Sequence, residues 1–363
     1  MKILMHTLLI CGGAALLAGW AATLDAQDKP KTDADIALVL DRCVTQEKRA
    51  PGIVVGVIDE KGAKLFAKGV CEKGGADVNG DTLFEIGSVT KVFTAVLLRE
   101  MADSGEVSLN DPISKFLPAS VKAPTRNGRE ITLVDLATQT SGLPRLPDNL
   151  APKDPMNPYA DYTVGQLYGF LSGYRLTRDI GGKFEYSNLG VGLLGHVLAL
   201  RAGTNYETLV VRRICDPLGM ESTRITLTPE LKARLAVGHN SAGETVENWD
   251  IPTLAGAGAL RSTANDLLKF LAANMGLTNS SLSKAMSATQ QPRHGSGPFR
   301  KIGLIWQIQT VSGAIWHNGG TFGYHSYIGF KKNPLRGVVV LANSGSDIED
   351  IGQYVLGDRT DVK

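Results

Sequence analysis

Strand-like patterns fall at the two ends of this chain and helical ones fill its middle, an arrangement that leaves few folds open. Residues 34–49 read as a helix. Residues 52–59 and 63–70 read as two strands joined by a Glu60-Lys61-Gly62 turn, which makes a hairpin. A short strand ending at Ile86 leads into 89–102, apolar through Val92, Phe93, Ala95, Val96, Leu97 and Leu98; that composition predicts a helix buried all round and ended by Gly105. From about 108 to 290 the pattern is helical, notably at 163–174, 189–202, 206–215 and 264–274, between Pro and Gly turns and without a convincing strand. After residue 300 strands return at 302–310, 314–317, 324–331 and 337–342, and a helix near 347–357 follows.

The expected fold is α+β, with one antiparallel sheet built from both chain ends and flanked by helices, plus a mostly helical lobe. In a domain over 33–360, the α/β lobe would be 33–107 with 300–360 and the helical lobe 108–299. A chain of 363 residues exceeds what one core usually supports, so two lobes are natural. No internal repeat is visible, which excludes solenoids.

The N-terminus is not read as part of this fold. Met1-Lys2 precedes an apolar run over 3–24, and Gln27-Asp28-Lys29-Pro30 opens the polar chain. This reads as a secretory signal over residues 1–26, cleaved after Ala21 or Ala26, with an uncleaved membrane anchor as the alternative. The expected destination is periplasmic or secreted, with no stable membrane insertion after cleavage. Ile10 before Cys11 does not suit a lipid-attachment site. Cleavage leaves Cys43, Cys71 and Cys215. Their spacing fits neither zinc nor a redox pair, and the open readings are a Cys43–Cys71 bridge or small buried hydrophobes.

Charge narrows the partners. Thirty-eight Lys and Arg stand against 36 Asp and Glu, with no block of one sign, which argues against nucleic acid. The sequence has no His-x-x-x-His pair, no phosphate loop and no Gly-x-Ser-x-Gly elbow, so neither a metal nor another cofactor is expected, and an α/β-hydrolase is excluded.

Three short motifs carry candidate chemistry. Ser88-Val-Thr-Lys91 places a hydroxyl and an amine one helical turn apart at the start of the buried helix. Ser281-Leu-Ser-Lys284 has the same spacing but lies in a polar segment and reads as a helix cap. Burial at Lys91 would lower its pKa, as a base working at neutral pH requires. Tyr186-Ser-Asn188 is the one Tyr-x-Asn among nine tyrosines, and a tyrosine can relay a proton. His317-Asn318-Gly319-Gly320, which holds the one His-x-Gly among six histidines, ends a strand. Glycines there would let a substrate lie along the strand and leave the Gly320 N–H for an oxyanion. Singly, each motif also has a structural reading: a buried aromatic, a helix cap, a satisfied strand histidine.

Taken together and in this order, the three motifs resemble the triplet of the class C β-lactamase and D-alanyl-D-alanine carboxypeptidase superfamily of serine hydrolases, which also contains esterases. The resemblance extends through Phe84-Glu-Ile-Gly-Ser-Val-Thr-Lys91, Ile131-Thr-Leu-Val-Asp-Leu-Ala-Thr-Gln-Thr-Ser-Gly-Leu-Pro144, Asp216-Pro-Leu-Gly-Met220 and Trp316-His-Asn-Gly-Gly-Thr-Phe-Gly-Tyr324, nearly the whole mature chain. It implies an acyl-enzyme at Ser88, with Lys91 and Tyr186 shuttling the proton and the Ser88 and Gly320 N–H groups holding the oxyanion. It further implies that Asn188, with His317, Asn318 and Gly319, binds a small-molecule or peptidoglycan-peptide substrate, the bond broken being a β-lactam or D-alanyl amide. The alternatives are a carboxylesterase of the same fold or a non-catalytic sensor of peptidoglycan fragments.

One position departs from the class C pattern: His317 stands where those β-lactamases carry a lysine. Histidine is only partly charged near pH 7, so the permanent cation is missing. Arg300 or Lys301 could supply it, or remain solvated charges. Segments 145–162 and 240–260 are expected to shape the pocket.

Overall fold

The computed structural model describes residues 31–362, so the leader read over 1–26 lies outside the described residues. In chain order the strands needed here are β1 (Gly52–Asp59), β2 (Gly62–Gly69), β3 (Phe84–Glu85), β4 (Arg261–Ser262), β5 (His294–Gly297), β6 (Arg300–Ile302), β7 (Gln307–Gln309), β8 (Ile315–Gly320), β9 (His325–Lys332) and β10 (Leu335–Ala342). All but β3 and β4 join one antiparallel sheet, ordered β2–β1–β10–β9–β8–β7–β6–β5. The two chain ends meet within it, one strand in from the β2 edge, where Ile53 pairs with Ala342 and Val57 with Val338. The α+β architecture expected from the sequence is the one observed.

The central strands are apolar on both faces because both faces are covered. On β1, Ile53, Val55 and Val57 pack with Val338, Val340 and Ala342 of β10 beneath α1 (Asp33–Asp41) and a C-terminal helix (Glu349–Val355). The alternate residues, Val54 and Ile58 with Val339 and Leu341, face the larger core. There they meet the helices α2 (Thr90–Asp103), α3 (Asn188–Arg201) and α4 (Ala264–Met275); the C-terminal helix is α5. Gly56 and Gly337 permit a close approach, since a Cβ at either would press into side chains of α4, Leu268 for the first and Leu271 and Met275 for the second. Each fully buried Val, Leu or Ile contributes about 1.5–3 kcal/mol.

Helix α2 is enclosed on all sides, as its composition predicts: Thr90 to Leu98 are all buried. Phe93 stacks on Phe270 of α4 with ring centroids 4.2 Å apart. The first helix departs from expectation. It is α-helical only to Asp41 and continues as a π-turn over Arg42–Gln46. There the Thr45 hydroxyl donates to the Asp41 carbonyl, competing for an acceptor of the regular ladder. The middle of the chain is not free of strands: β4 pairs with β3, and Thr125–Arg126 and Gly238–His239 each start a small hairpin. Two-residue strands are too short to carry a period.

No Cys43–Cys71 bridge forms. All three described cysteines are free, Cys43 under α1 and Cys71 at the margin of the other core. Among the described residues no helix is long and apolar enough to cross a membrane.

Replacing Phe93 by Ala removes a ring from both α2 and its stack on α4. The expected loss is about 3–5 kcal/mol, read as a lower urea midpoint with the slope of the transition unchanged.

Candidate active site

The reactive centre is built by a sharp entry into the buried helix. Strand β3 ends at Glu85, Gly87 turns through a left-handed φ of 46°, and Gly87–Val89 make one 3-10 turn before α2 begins. This lifts Ser88 to the surface of the core and drops Lys91 into it. Lys91 is 0% exposed, with Nζ 2.8 Å from Ser88 Oγ and donating to the Ala257 carbonyl at 2.5 Å. Burial holds this amine well below the ordinary lysine range, and the charge of Arg145 adds to the effect. This shift favours the unprotonated form, whose lone pair can take the serine proton. The Tyr186 hydroxyl donates to Ser88 Oγ at 2.6 Å, and burial pushes its phenol up to about 12. It is therefore a protonated donor and not a phenolate.

Strand β8 brings the third motif alongside. Alternation along the strand puts His317 and Gly319 on the Ser88 side and Trp316 and Asn318 on the other. Gly319 packs so closely that a Cβ there would overlap the Ile86 carbonyl and come 2.8 Å from Ser88 N. Gly320 N lies against Gly87 in the same way, at 2.8 Å from its hypothetical Cβ. The two backbones thus meet edge to edge beside the nucleophile. His317 is buried, 6.4 Å from the Tyr186 ring centre to centre, and its Nδ1 lies 2.6 Å from the Asn318 carbonyl. Burial first, and then the Lys91 amine, push its imidazole down to about 3, so it is neutral at working pH. It supplies no cation.

Asn318, expected to bind substrate, points away from Ser88: its Nδ2 donates to Glu349 of α5 at 2.8 Å. Arg300 lines a groove with Trp316, Glu349 and Gln353 on that same far face, so it does not replace the missing lysine, and Lys301 beside it is exposed. Asn188 does reach the site. Its Nδ2 donates to Tyr159 at 3.0 Å, while its buried Oδ1 has no partner. Such an orphaned acceptor fits a substrate N–H.

Segments 145–162 and 240–260 meet over Ser88. Tyr159, Trp249, Ile251 and Gly258 close a space of about 30 Å³ beside Ser88, Asn188 and Gly320. The two segments thus form one wall of a small pocket at the nucleophile. Trp249 packs on Tyr159 and Phe322 at 5.4 and 4.9 Å. Two reciprocal bonds join Asn157 and Asp250, and Trp249 Nε1 donates to the Met156 carbonyl at 3.0 Å. The Trp249 backbone is held below by a buried ion pair: its N–H donates to Glu85, its carbonyl accepts from Arg261, and Glu85 and Arg261 lie 3.2 Å apart. Sequence reasoning named no role for Tyr159, Trp249, Glu85, Arg261 or Arg145, although the first two and Arg145 fall in the segments expected to shape the pocket and Glu85 in the block before Ser88. His196, on α3, lies 2.8 Å from the Tyr168 hydroxyl and serves packing. Among the described residues no group of three or more His, Cys, Asp or Glu is placed to hold a metal ion.

An amine buried without a counter-charge costs stability. Its folded pKa lies below the unfolded value of about 10.4, so the unfolded chain binds the extra proton and stability rises with pH across that interval. Lys91→Met is expected to unfold later than wild type at neutral pH, by on the order of 1 kcal/mol, with the gap narrowing as pH climbs toward the unfolded value. Urea titrations at several pH values measure this.

The sequence matches the family model described as Beta-lactamase over residues 40–353. It is 37% identical over 193 residues to the D-alanyl-D-alanine-carboxypeptidase/endopeptidase AmpH of Escherichia coli (strain K12), covering 53% of this chain and 48% of that one. The match thus spans about half the length of that relative. A Beta-lactamase of Pseudomonas fluorescens is 27% identical over 349 residues, covering 85% and 94% of the two chains. Among solved structures, a class C beta lactamase from Rhodobacter sphaeroides superposes with a TM-score of 0.76 at 26% identity, covering 90% of this chain and 98% of that one. The D-alanine carboxypeptidase AmpC from Burkholderia cenocepacia superposes with a TM-score of 0.75 at 26% identity, covering 90% and 99%. The fold is that of the class C beta-lactamases, and the chain belongs to the beta-lactamase family.

Proposed function

We propose that the protein is an exported serine hydrolase that forms an acyl-enzyme at Ser88 and hydrolyses β-lactam or D-alanyl-peptide amide bonds. The observation that carries this reading is the hydrogen-bonded run from Tyr186 through Ser88 to the buried Lys91, at 2.6 and 2.8 Å. Export rests on the leader read over residues 1–26, and relatives named as beta-lactamases and a D-alanine carboxypeptidase support the substrate class.

In this reading Ser88 Oγ attacks the carbonyl carbon while its proton passes to Lys91 Nζ. The Ser88 and Gly320 N–H groups receive the oxyanion. As the carbonyl re-forms, the bond to the leaving nitrogen breaks and Tyr186 donates its proton there, regaining one from Lys91. Asn188 Oδ1 accepts from the substrate amide. Water then enters by the same route in reverse roles and frees the acyl group and Ser88. A carboxylesterase is the second reading, favoured by one observation: neutral His317 offers no charge to a substrate carboxylate.

Intact mass over time with a penicillin, wild type beside Ser88→Ala, tests the proposal. An adduct on wild type alone is expected. A long-lived adduct marks a peptidase, and a fleeting one with drug consumed marks a β-lactamase. No adduct, with the drug intact and short esters cleaved, gives the esterase. A second expectation concerns pH: acylation rises through the depressed Lys91 pKa and reaches its plateau well below the ordinary lysine range. In Lys91→Arg, which stays protonated, the rate falls by about 10²–10⁴-fold.

A further inference from the structure

We propose that Arg145 is the fixed cation that selects a carboxylate on the substrate. The inference rests on the hydrolase reading above and names the substrate chemistry of the same site. Arg145 follows Leu143-Pro144, and its carbonyl accepts from the N–H groups of Asn188 and Leu189 at 3.0 and 3.2 Å. Its backbone is thereby pinned to the start of α3, beside Tyr186 and Asn188. The guanidinium carbon lies 5.1 Å from the centre of the Tyr186 ring. That ring carries the hydroxyl 2.6 Å from Ser88 Oγ, so the cation stands one aromatic ring from the reacting atom.

Two further features separate Arg145 from an ordinary surface arginine. Its side chain is exposed and makes no hydrogen bond or ion pair with the described residues, which leaves its planar donors free for a ligand. Its field also reaches Lys91, Tyr186 and Tyr159, three side chains that line or build the site. Two other arginines of the surrounding segments are already engaged, Arg178 with Glu185 and Arg261 with Glu85 and the Trp249 carbonyl. A free guanidinium over an aromatic face takes a carboxylate through two parallel N–H bonds, which a lysine would not reproduce. The fitting substrate therefore bears a carboxylate beside the scissile bond, as a peptide or depsipeptide ending in a free D-residue does.

The test uses the mature protein with a matched pair of esters, N-acetyl-D-alanyl-D-lactate and the same compound capped as its C-terminal amide. Wild type is expected to prefer the free carboxylate in kcat/KM. Arg145→Gln should lower the carboxylate-to-amide ratio by about ten- to hundredfold, and Arg145→Lys should recover part of it. The preference should also shrink with added salt, as an exposed charge contact requires. A wild type without the preference, or an Arg145→Gln variant that loses rate on both esters equally with a shifted pH profile, overturns the inference: the arginine would then only position Tyr186. Labelling of Ser88 by a fluorophosphonate separates the levels. Labelled enzyme with an unchanged ratio overturns the role of Arg145 alone, whereas wild type that neither labels nor turns over overturns the hydrolase reading as well.

Discussion

The chemistry of this molecule depends on one amine buried without a counter-charge. Lys91 has a hydroxyl and a carbonyl for neighbours and no carboxylate within bonding distance. Water cannot repay the desolvation, so the amine holds its proton less tightly than an ordinary lysine does. The fold imposes that burial from several sides. Helix α2 is packed between α3, α4 and the turn Ala255–Ala257, and the apolar residues that bury it also bury the lysine on its first turn. Stability and reactivity are thus opposed at a single side chain, a common feature of active sites.

A second buried group works differently. Glu85 and Arg261 pair at the β3–β4 ladder, and each also holds the backbone of Trp249, while Arg261 donates a further bond to the Ile225 carbonyl. Such a pair adds little net stability against an apolar substitute, but removing one partner leaves an uncompensated charge inside. Its structural effect is to fix one wall residue of the pocket directly to the strand that leads into Ser88. The other wall residue, Tyr159, is fixed to Asn188. Each half of that wall is tied to a different motif.

What could be read in the sequence followed from local rules. The hairpin, the enclosed helix and the pairing of both ends in one sheet rest on period and burial, which neighbours in sequence carry. The nucleophile was legible for the same reason, because its amine lies one turn away. Asn318 shows the limit. A motif gives the order of residues, whereas strand alternation sends every second side chain to the opposite face, here to Glu349 of α5. Arg145 and Trp249 were hidden because their roles arise from segments distant in sequence, and no spacing records which loop tips the fold will bring together. The cation sought beside β8 among residues 300 and 301 stands instead across the site, on the segment that ends in Tyr159.

That displacement changes how charge and pocket shape relate. A lysine on β8 would be held by the ladder of the central sheet, independent of the loops. Arg145 belongs to the same segment as Asn157 and Tyr159, which close over Ser88 by bonding Asp250 and packing on Trp249. A small pocket beside Ser88 runs between them. An anion drawn to Arg145 is therefore bound by the same segment that carries one wall of that pocket. Binding energy gained at the guanidinium acts where Tyr159 and Asn188 meet the substrate, whereas a neutral ester has only the contacts of the pocket itself. Selectivity for charge and the shape of the pocket become properties of one loop.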